Sequence, residues 1–207
     1  YLWDAGGDLL DEAGHPAIDS EAAVEALTLY CDLRRFCPAD THKYGNAEIL
    51  GVITESRAAL VTTWGGQAAP IFEGSPKLPY RAAVFPKPWN VTWGIAIPAN
   101  QPGEVQQGML EVLLHLLGPE HDRAVTRKAG SPVRSKSYTA EERERYPWLD
   151  AQYEMLKRAG SLPCTPQTGA YLGALYEAVY AAFTGSATPR AALAAAAAAM
   201  RAAVGAG

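Results

Sequence analysis

Much of what usually announces a function is missing from this chain. It has only three cysteines and four histidines in 207 residues. Cys31, Cys37 and Cys164 fit no metal spacing, and Cys31 and Cys37 share one predicted helix at a separation of six, which disfavours a bridge between them. Free thiols are the default expectation, with a Cys37–Cys164 bridge as the alternative. His15, His42, His115 and His121 are dispersed, and His115 on its leucine-rich helix reads as a satisfied core or edge histidine. Nucleophile elbows, phosphate-cradling glycine loops and zinc signatures are absent. There is no basic run, and the net charge is −4, which disfavours nucleic acid and anionic membrane as partners. No stretch offers the ~20 uninterrupted apolar residues that cross a bilayer. Ala191–Ala203 comes nearest, but Arg190 flanks it, Arg201 enters it, and alanine is barely hydrophobic. The chain opens at Tyr1 without a Met, a signal peptide or a clear element start, and so reads as a fragment lacking its N-terminal part.

What remains is ordinary globular material, 48% hydrophobic and 19% charged, sized for one large domain or two small lobes. Asp19 or Ser20 is a good N-cap for a helix running to about Cys37, with Ala23, Val24, Leu27, Tyr30 and Cys31 as its apolar stripe. A shorter helix is predicted over Asn46–Ser56. Three runs read as strands: Arg57–Gly66, Tyr80–Phe85 and Thr92–Ile97. A helix from the Pro102–Gly103 turn to Leu117 should turn Val105, Met109, Val112, Leu113 and Leu116 inward, and another should restart at Gly118–Pro119. Thr139 and Glu142 form a capping box. Trp148–Arg158, Gln167–Phe183 and a last helix behind Thr188–Pro189 complete the chain. Strands separated by helices, then a helical C-terminus, predict an α/β fold.

Chemistry is sparse. Glu141, Glu142 and Glu144 alternate with Arg143 and Arg145, which describes a solvated helix face better than a catalytic carboxylate pair. Asn90-Val91-Thr92 matches a glycosylation acceptor, a motif too short to carry weight. Aromatic residues, however, gather beside turns: Trp64 before Gly65-Gly66, Trp89 before Asn90, Trp93 before Gly94, and Tyr171 behind a Pro-rich connector. Taken alone, Trp64 reads as a core aromatic. Several such rings at junctions suit the apolar face of a sugar, with nearby amides taking its hydroxyls.

Eight pieces in order carry a resemblance. They are Gly6–Leu10, the helix Asp19–Leu27, Ser56–Leu60 followed by Trp64, Phe85–Pro88, Trp93–Pro98, Leu113–Glu120 with Gly130–Arg134, Pro163–Pro166, and Thr188–Leu193. Together they resemble the C-terminal half of the bacterial extracellular solute-binding proteins of carbohydrate ABC importers, the group containing maltose-binding protein. The resemblance implies a type II periplasmic-binding-protein fold, an α/β architecture of two hinged lobes. Residues 1–85 and 131–207 would then build the second, C-terminal lobe, and 86–130 would belong to a first lobe largely absent here. It also implies ligand-binding roles for Trp64, Gly65, Trp93, Gly94, Arg134 and Tyr171. Trp93-Gly94 departs from the family's Gly-Gly pair, which implies an added aromatic wall or a narrowed pocket.

The expected function is therefore capture of a carbohydrate outside the membrane and delivery to an ABC permease, without catalytic residues, metal or cofactor. The expected location is periplasmic, or extracytoplasmic as a membrane-tethered lipoprotein. The alternatives are another small solute on the same fold (a polyol, a glycerophosphodiester or an amino compound) and an enzyme on similar lobes. The last needs a polar catalytic cluster for which the sequence offers no candidate.

Overall fold

The computed structural model describes residues 1–74, 79–91, 93–128 and 130–205. They fall into two units, one made of Tyr1–Tyr44 and Ser161–Gly207, the other of Gly45–Gly160.

In the first unit, helix α1 (Glu21–Asp32) begins where the Ser20 hydroxyl accepts the Ala23 amide, then tightens into a 3-10 turn over Leu33–Phe36. The last two helices of the chain, Thr168–Thr184 (called α8 below) and Pro189–Gly205 (α9), pack with α1 around one core. The alanine run supplies that core through Ala192, Leu193, Ala196, Ala197 and Met200, a stripe recurring at helical spacing. Alanine at these positions lets neighbouring backbones approach closely, so the run is a packing face. Gly185 ends α8 in the left-handed region at φ 85°. The Ser186 amide then donates to the Ala181 carbonyl at 2.9 Å and the Gly185 amide to that of Ala182 at 3.1 Å, which closes the helix end. Arg190 grips Glu21 with two bonds of 2.7 Å, and Arg201 grips Asp19 at 3.0 and 2.8 Å.

The second unit holds α2 (Asn46–Thr54), α3 (Ala68–Glu73), α4 (Gly103–Leu116), α5 (Pro119–Lys128), α6 (Ala140–Arg145) and α7 (Trp148–Arg158). Ala68, Ala69, Tyr138, Tyr146, Trp148 and Leu149 form its main core, with Phe72 stacked on Trp148 at 5.3 Å. Thr139 caps α6 by accepting the Glu142 amide at 3.2 Å, which is one half of the expected capping box; the Glu142 carboxylate turns instead to Arg127 at 3.4 Å.

Two expectations are overturned. Among the described residues there are helices, turns and two isolated bridges, Leu10 with Pro16 and Trp89 with Gly160, and no strand. The predicted α/β fold, with strands over Arg57–Gly66, Tyr80–Phe85 and Thr92–Ile97 (Thr92 itself lies outside the described residues), is thus replaced by a helical one. The reason is physical: a strand exists only through a ladder of hydrogen bonds to a neighbouring strand, and among the described residues these runs form no such ladder. Leu60, inside the first run, is 91% exposed. Likewise α4 forms where predicted but buries none of its residues, so Val105, Met109, Val112, Leu113 and Leu116 do not face a core. All three cysteines are free thiols.

Candidate functional site

Trp64 stands at the end of an extended run, at φ −83° and ψ 145°, before a 3-10 turn over Gly65–Gln67 that feeds α3. The Gln67 amide closes the turn on the Trp64 carbonyl at 3.0 Å. The Gln67 side chain then ties it down, accepting from Thr63 Oγ1 and donating through Nε2 to the Asn46 carbonyl at 2.7 Å. The Trp64 backbone is thus held by this turn, while the residue stays 50% exposed.

Trp89 meets it edge-on, with ring centroids 5.2 Å apart and planes at 61°. This second indole is 42% exposed, and its own backbone is fixed by the Gly160 bridge. There the Gly160 amide donates to Pro88 at 2.9 Å and the Asn90 amide to Gly160 at 3.1 Å. Two rings anchored from segments far apart in the chain form one half-open apolar corner. Sequence reasoning noted Trp89 among the turn aromatics but did not place it in the site; its partnership with Trp64 is a tertiary fact.

Beside that corner lies a neutral polar pair. Gln152, on α7, donates through Nε2 to Ser131 Oγ at 2.8 Å. Gly65 rests against both: a β-carbon there would lie 2.7 Å from Gln152 Oε1 and 2.8 Å from Ser131 Oγ. Ser131 opens the loop that follows Gly130, and that loop is organised by one buried carboxylate. Asp122 accepts the Val133 amide at 2.9 Å, the Arg134 amide at 3.1 Å and the Ser137 hydroxyl at 2.5 Å. Tyr138 closes the loop by donating its hydroxyl to the Pro132 carbonyl at 2.8 Å. Burial first, and the Asp122 charge second, push this phenol far above its usual value, so it stays protonated.

The other expected site residues are placed as follows. Arg134 is exposed and donates through Nη2 to the Leu117 carbonyl at 2.8 Å, at the C-terminal end of α4, where a cation is favourable. Trp93 is 93% exposed, and a β-carbon added at Gly94 would meet nothing within 4 Å. No described ring contact joins Trp93 to the Trp64–Trp89 pair. Tyr171 belongs to the other unit, where it is 4% exposed within the core of α1, α8 and α9. The structure therefore gathers Trp64, Gly65 and Trp89 with Ser131 and Gln152. Gln152 could have been found in the sequence as an amide one helical turn after Trp148.

Among the described residues no group of three His, Cys, Asp or Glu side chains could hold a metal ion. No helix among them is long and apolar enough to cross a membrane. The corner offers stacking surface and neutral hydrogen-bonding groups, which suit a neutral, hydroxylated ligand better than an ion.

No protein-family description and no curated protein matches the chain. Solved structures do. Maltose-bound MalE3 of T. maritima is similar with a TM-score of 0.84 at 22% identity, over 97% of this chain and 55% of that one. An ABC transporter solute-binding protein from Thermotoga lettingae TMO, bound with α-D-tagatose, is similar with a TM-score of 0.84 at 21% identity, over 99% and 55%. A third from Agrobacterium radiobacter K84, in complex with ribitol, gives 0.83 at 23%, over 97% and 54%. The chain shares the fold of one part of these solute-binding proteins. It spans about half the length of the structures it matches.

Proposed function

We propose that this chain is part of the substrate-binding component of an ABC importer, and that the component captures a sugar, oligosaccharide or closely related polyol outside the membrane and passes it to a permease. The observation that carries the reading is the pair of half-exposed indoles, Trp64 and Trp89, meeting edge-on beside the neutral Ser131–Gln152 pair. The solved structures of the same fold support it, since their ligands are maltose, tagatose and ribitol. All three are neutral and rich in hydroxyls. Arg134 gives a glycerophosphodiester less support, because its guanidinium is engaged at the end of α4. The component works as a reversible binder and not as a catalyst.

The same reading assigns residues 86–130, as a crossing segment and helices, to the first lobe of the component, the rest of which would cover α4. Helix α4 buries none of its residues, and Ile95, Ala96, Val105, Met109, Val112 and Leu113 line an apolar groove of about 350 Å³. In this reading capture proceeds by hinge closure, so affinity scales with the closed population as well as with contacts. Covering about 100 Å² of indole face contributes roughly 2.5 kcal/mol at the usual ~25 cal/mol/Å², whereas micromolar binding needs about 8 kcal/mol. The corner supplies one wall and needs others.

The test is a titration of maltose, maltotriose, tagatose and ribitol against the protein, read by tryptophan fluorescence and by thermal shift, because a ligand that binds only the native state raises Tm. At least one probe should bind saturably, and Trp64→Ala should weaken it by roughly 70-fold, the equivalent of that 2.5 kcal/mol. Failure of every probe, or unchanged affinity in Trp64→Ala, removes the reading.

A further inference from the structure

Gln152 occupies an unusual place for an amide. On α7 it falls one turn after Trp148, which is buried in the core with its neighbour Leu149, and beside Tyr153, which packs against that core. A polar group on an inward helix face costs stability unless its bonds are satisfied. The one described hydrogen bond of Gln152 runs from Nε2 to Ser131 Oγ. One amide proton and the carbonyl lone pairs remain for another partner, as does the donor capacity of the Ser131 hydroxyl. Both residues are half-buried, so these groups reach solvent.

Gly65 supplies the second observation. Its backbone is not in the left-handed region, so conformation does not require glycine there. Space does. A β-carbon would lie within 3.0 Å of three atoms of the pair, Gln152 Oε1, Ser131 Oγ and Gln152 Nε2. Glycine at this position lets two neutral polar side chains come up against the residue that follows the Trp64 platform. The result is an apolar ring face edged by one amide and one hydroxyl, each able to donate and to accept.

Resting on the solute-binding reading above, we propose that Ser131 and Gln152 are the specificity-determining polar wall of the site, and that they bind vicinal hydroxyls of a ligand stacked on Trp64. An amide–hydroxyl pair matches adjacent hydroxyls because each of them also donates and accepts. Such a wall selects hydroxylated rings over apolar rings of the same shape, since a ligand lacking a hydroxyl leaves the amide unpaired.

The experiment is a double-mutant cycle on the intact protein by calorimetry, with maltose, tagatose and ribitol as probes and monodeoxy analogues of the tightest binder. Gln152→Met and Ser131→Ala should each weaken that binder by roughly 10-fold while the unliganded Tm stays near the parent's. One deoxy analogue should lose about 10-fold on the parent and nothing further on Gln152→Met. Equal losses for every analogue on parent and variant, or unchanged affinity in both variants, overturn the proposal and leave the pair a tie between loop and helix. If Gln152→Met does not fold, Ser131→Ala and Gln152→Glu carry the same cycle. Weakening by Trp64→Ala without weakening by the pair refutes this inference alone, whereas a parent that binds no probe removes both it and the binding reading.

Discussion

Replacing Asp122 by alanine is the sharpest structural perturbation available in the second unit. The residue is buried on α5 and holds the loop after Gly130 by accepting two amides, from Val133 and Arg134, and the Ser137 hydroxyl. Ser137 is buried as well, so its hydroxyl has no solvent to turn to. A hydrogen bond to a charged group contributes about 1.5–3 kcal/mol net, and a buried donor left alone costs about 1–3 kcal/mol. The three bonds share one carboxylate and are not additive, and the two amides can regain water once the loop loosens. About 3–5 kcal/mol is then the expected loss for Asp122→Ala, at the upper end for a single substitution. Urea unfolding followed by tryptophan fluorescence measures it as a lower midpoint at unchanged slope. Asp122→Asn should fall between parent and alanine, because its carbonyl can keep part of the network while its amide group opposes the donors. If the proposed site holds, solute binding should weaken in Asp122→Ala too, since Ser131 begins the same loop. A loss below about 1 kcal/mol in Asp122→Ala would refute the claim that this carboxylate organises the loop.

Gly130→Ala should also destabilise. The residue sits at φ 88°, and a β-carbon would lie 2.9 Å from Trp148 Nε1 and 3.0 Å from the Ala69 amide nitrogen, which cannot swing aside. A left-handed alanine costs about 1–2 kcal/mol and overpacking about 1–3 kcal/mol more, so Tm should drop by roughly 5–15 °C; an unchanged Tm refutes the account. Stability should fall in acid through the first unit. The hydrogen bond from Arg201 holds Asp19 below the usual carboxylate range, as that from Arg190 does for Glu21, and the His15 amide does the same for Asp11. A depressed carboxylate contributes stability above its unfolded value and loses it as pH falls through the folded one, so the loss begins below about pH 4. Arg201→Gln should flatten the decline of the urea midpoint below that pH, and an identical slope in parent and variant refutes the linkage.

The helices were readable because their determinants are local. Ser20, Thr139 and the Thr188–Pro189 pair cap α1, α6 and α9 through bonds to amides a few residues away, and periodicity marks the stripes. The strands were misread because β-branched and apolar composition does not say whether a neighbour exists to pair with. Leu60 and Ile95 lie exposed in backbone that has the sequence of a buried strand. The face of α8 could not be chosen for another reason. Apolar residues surround it, with tyrosines at 171, 176 and 180, and only the alanine face of α9 decides that Tyr171 is buried while Tyr176 and Tyr180 remain exposed. Trp64 was legible as an aromatic beside a turn. Its corner was not, because Trp89, Ser131 and Gln152 come from three other segments.

The chemistry of the corner follows from where the charges are spent. The carboxylates held below their usual range, Asp11, Asp19 and Glu21, all belong to the first unit, where Asp11 closes the turn around Gly14 and the other two tie α1 and the segment before it to α9. In the second unit, the buried carboxylate of Asp122 is consumed by three donors of its own loop, and the Arg134 guanidinium donates to the end of α4. Around Gly65, beside Trp64, the structure brings together a hydroxyl and an amide, the Ser131–Gln152 pair. On the reading proposed above, recognition there rests on ring area and on the geometry of neutral hydrogen bonds. A hydroxylated ring gains both at once, whereas an inorganic anion gains hydrogen bonds alone and is desolvated against indole. That asymmetry, more than the likeness of fold, is the reason to look for a sugar or polyol.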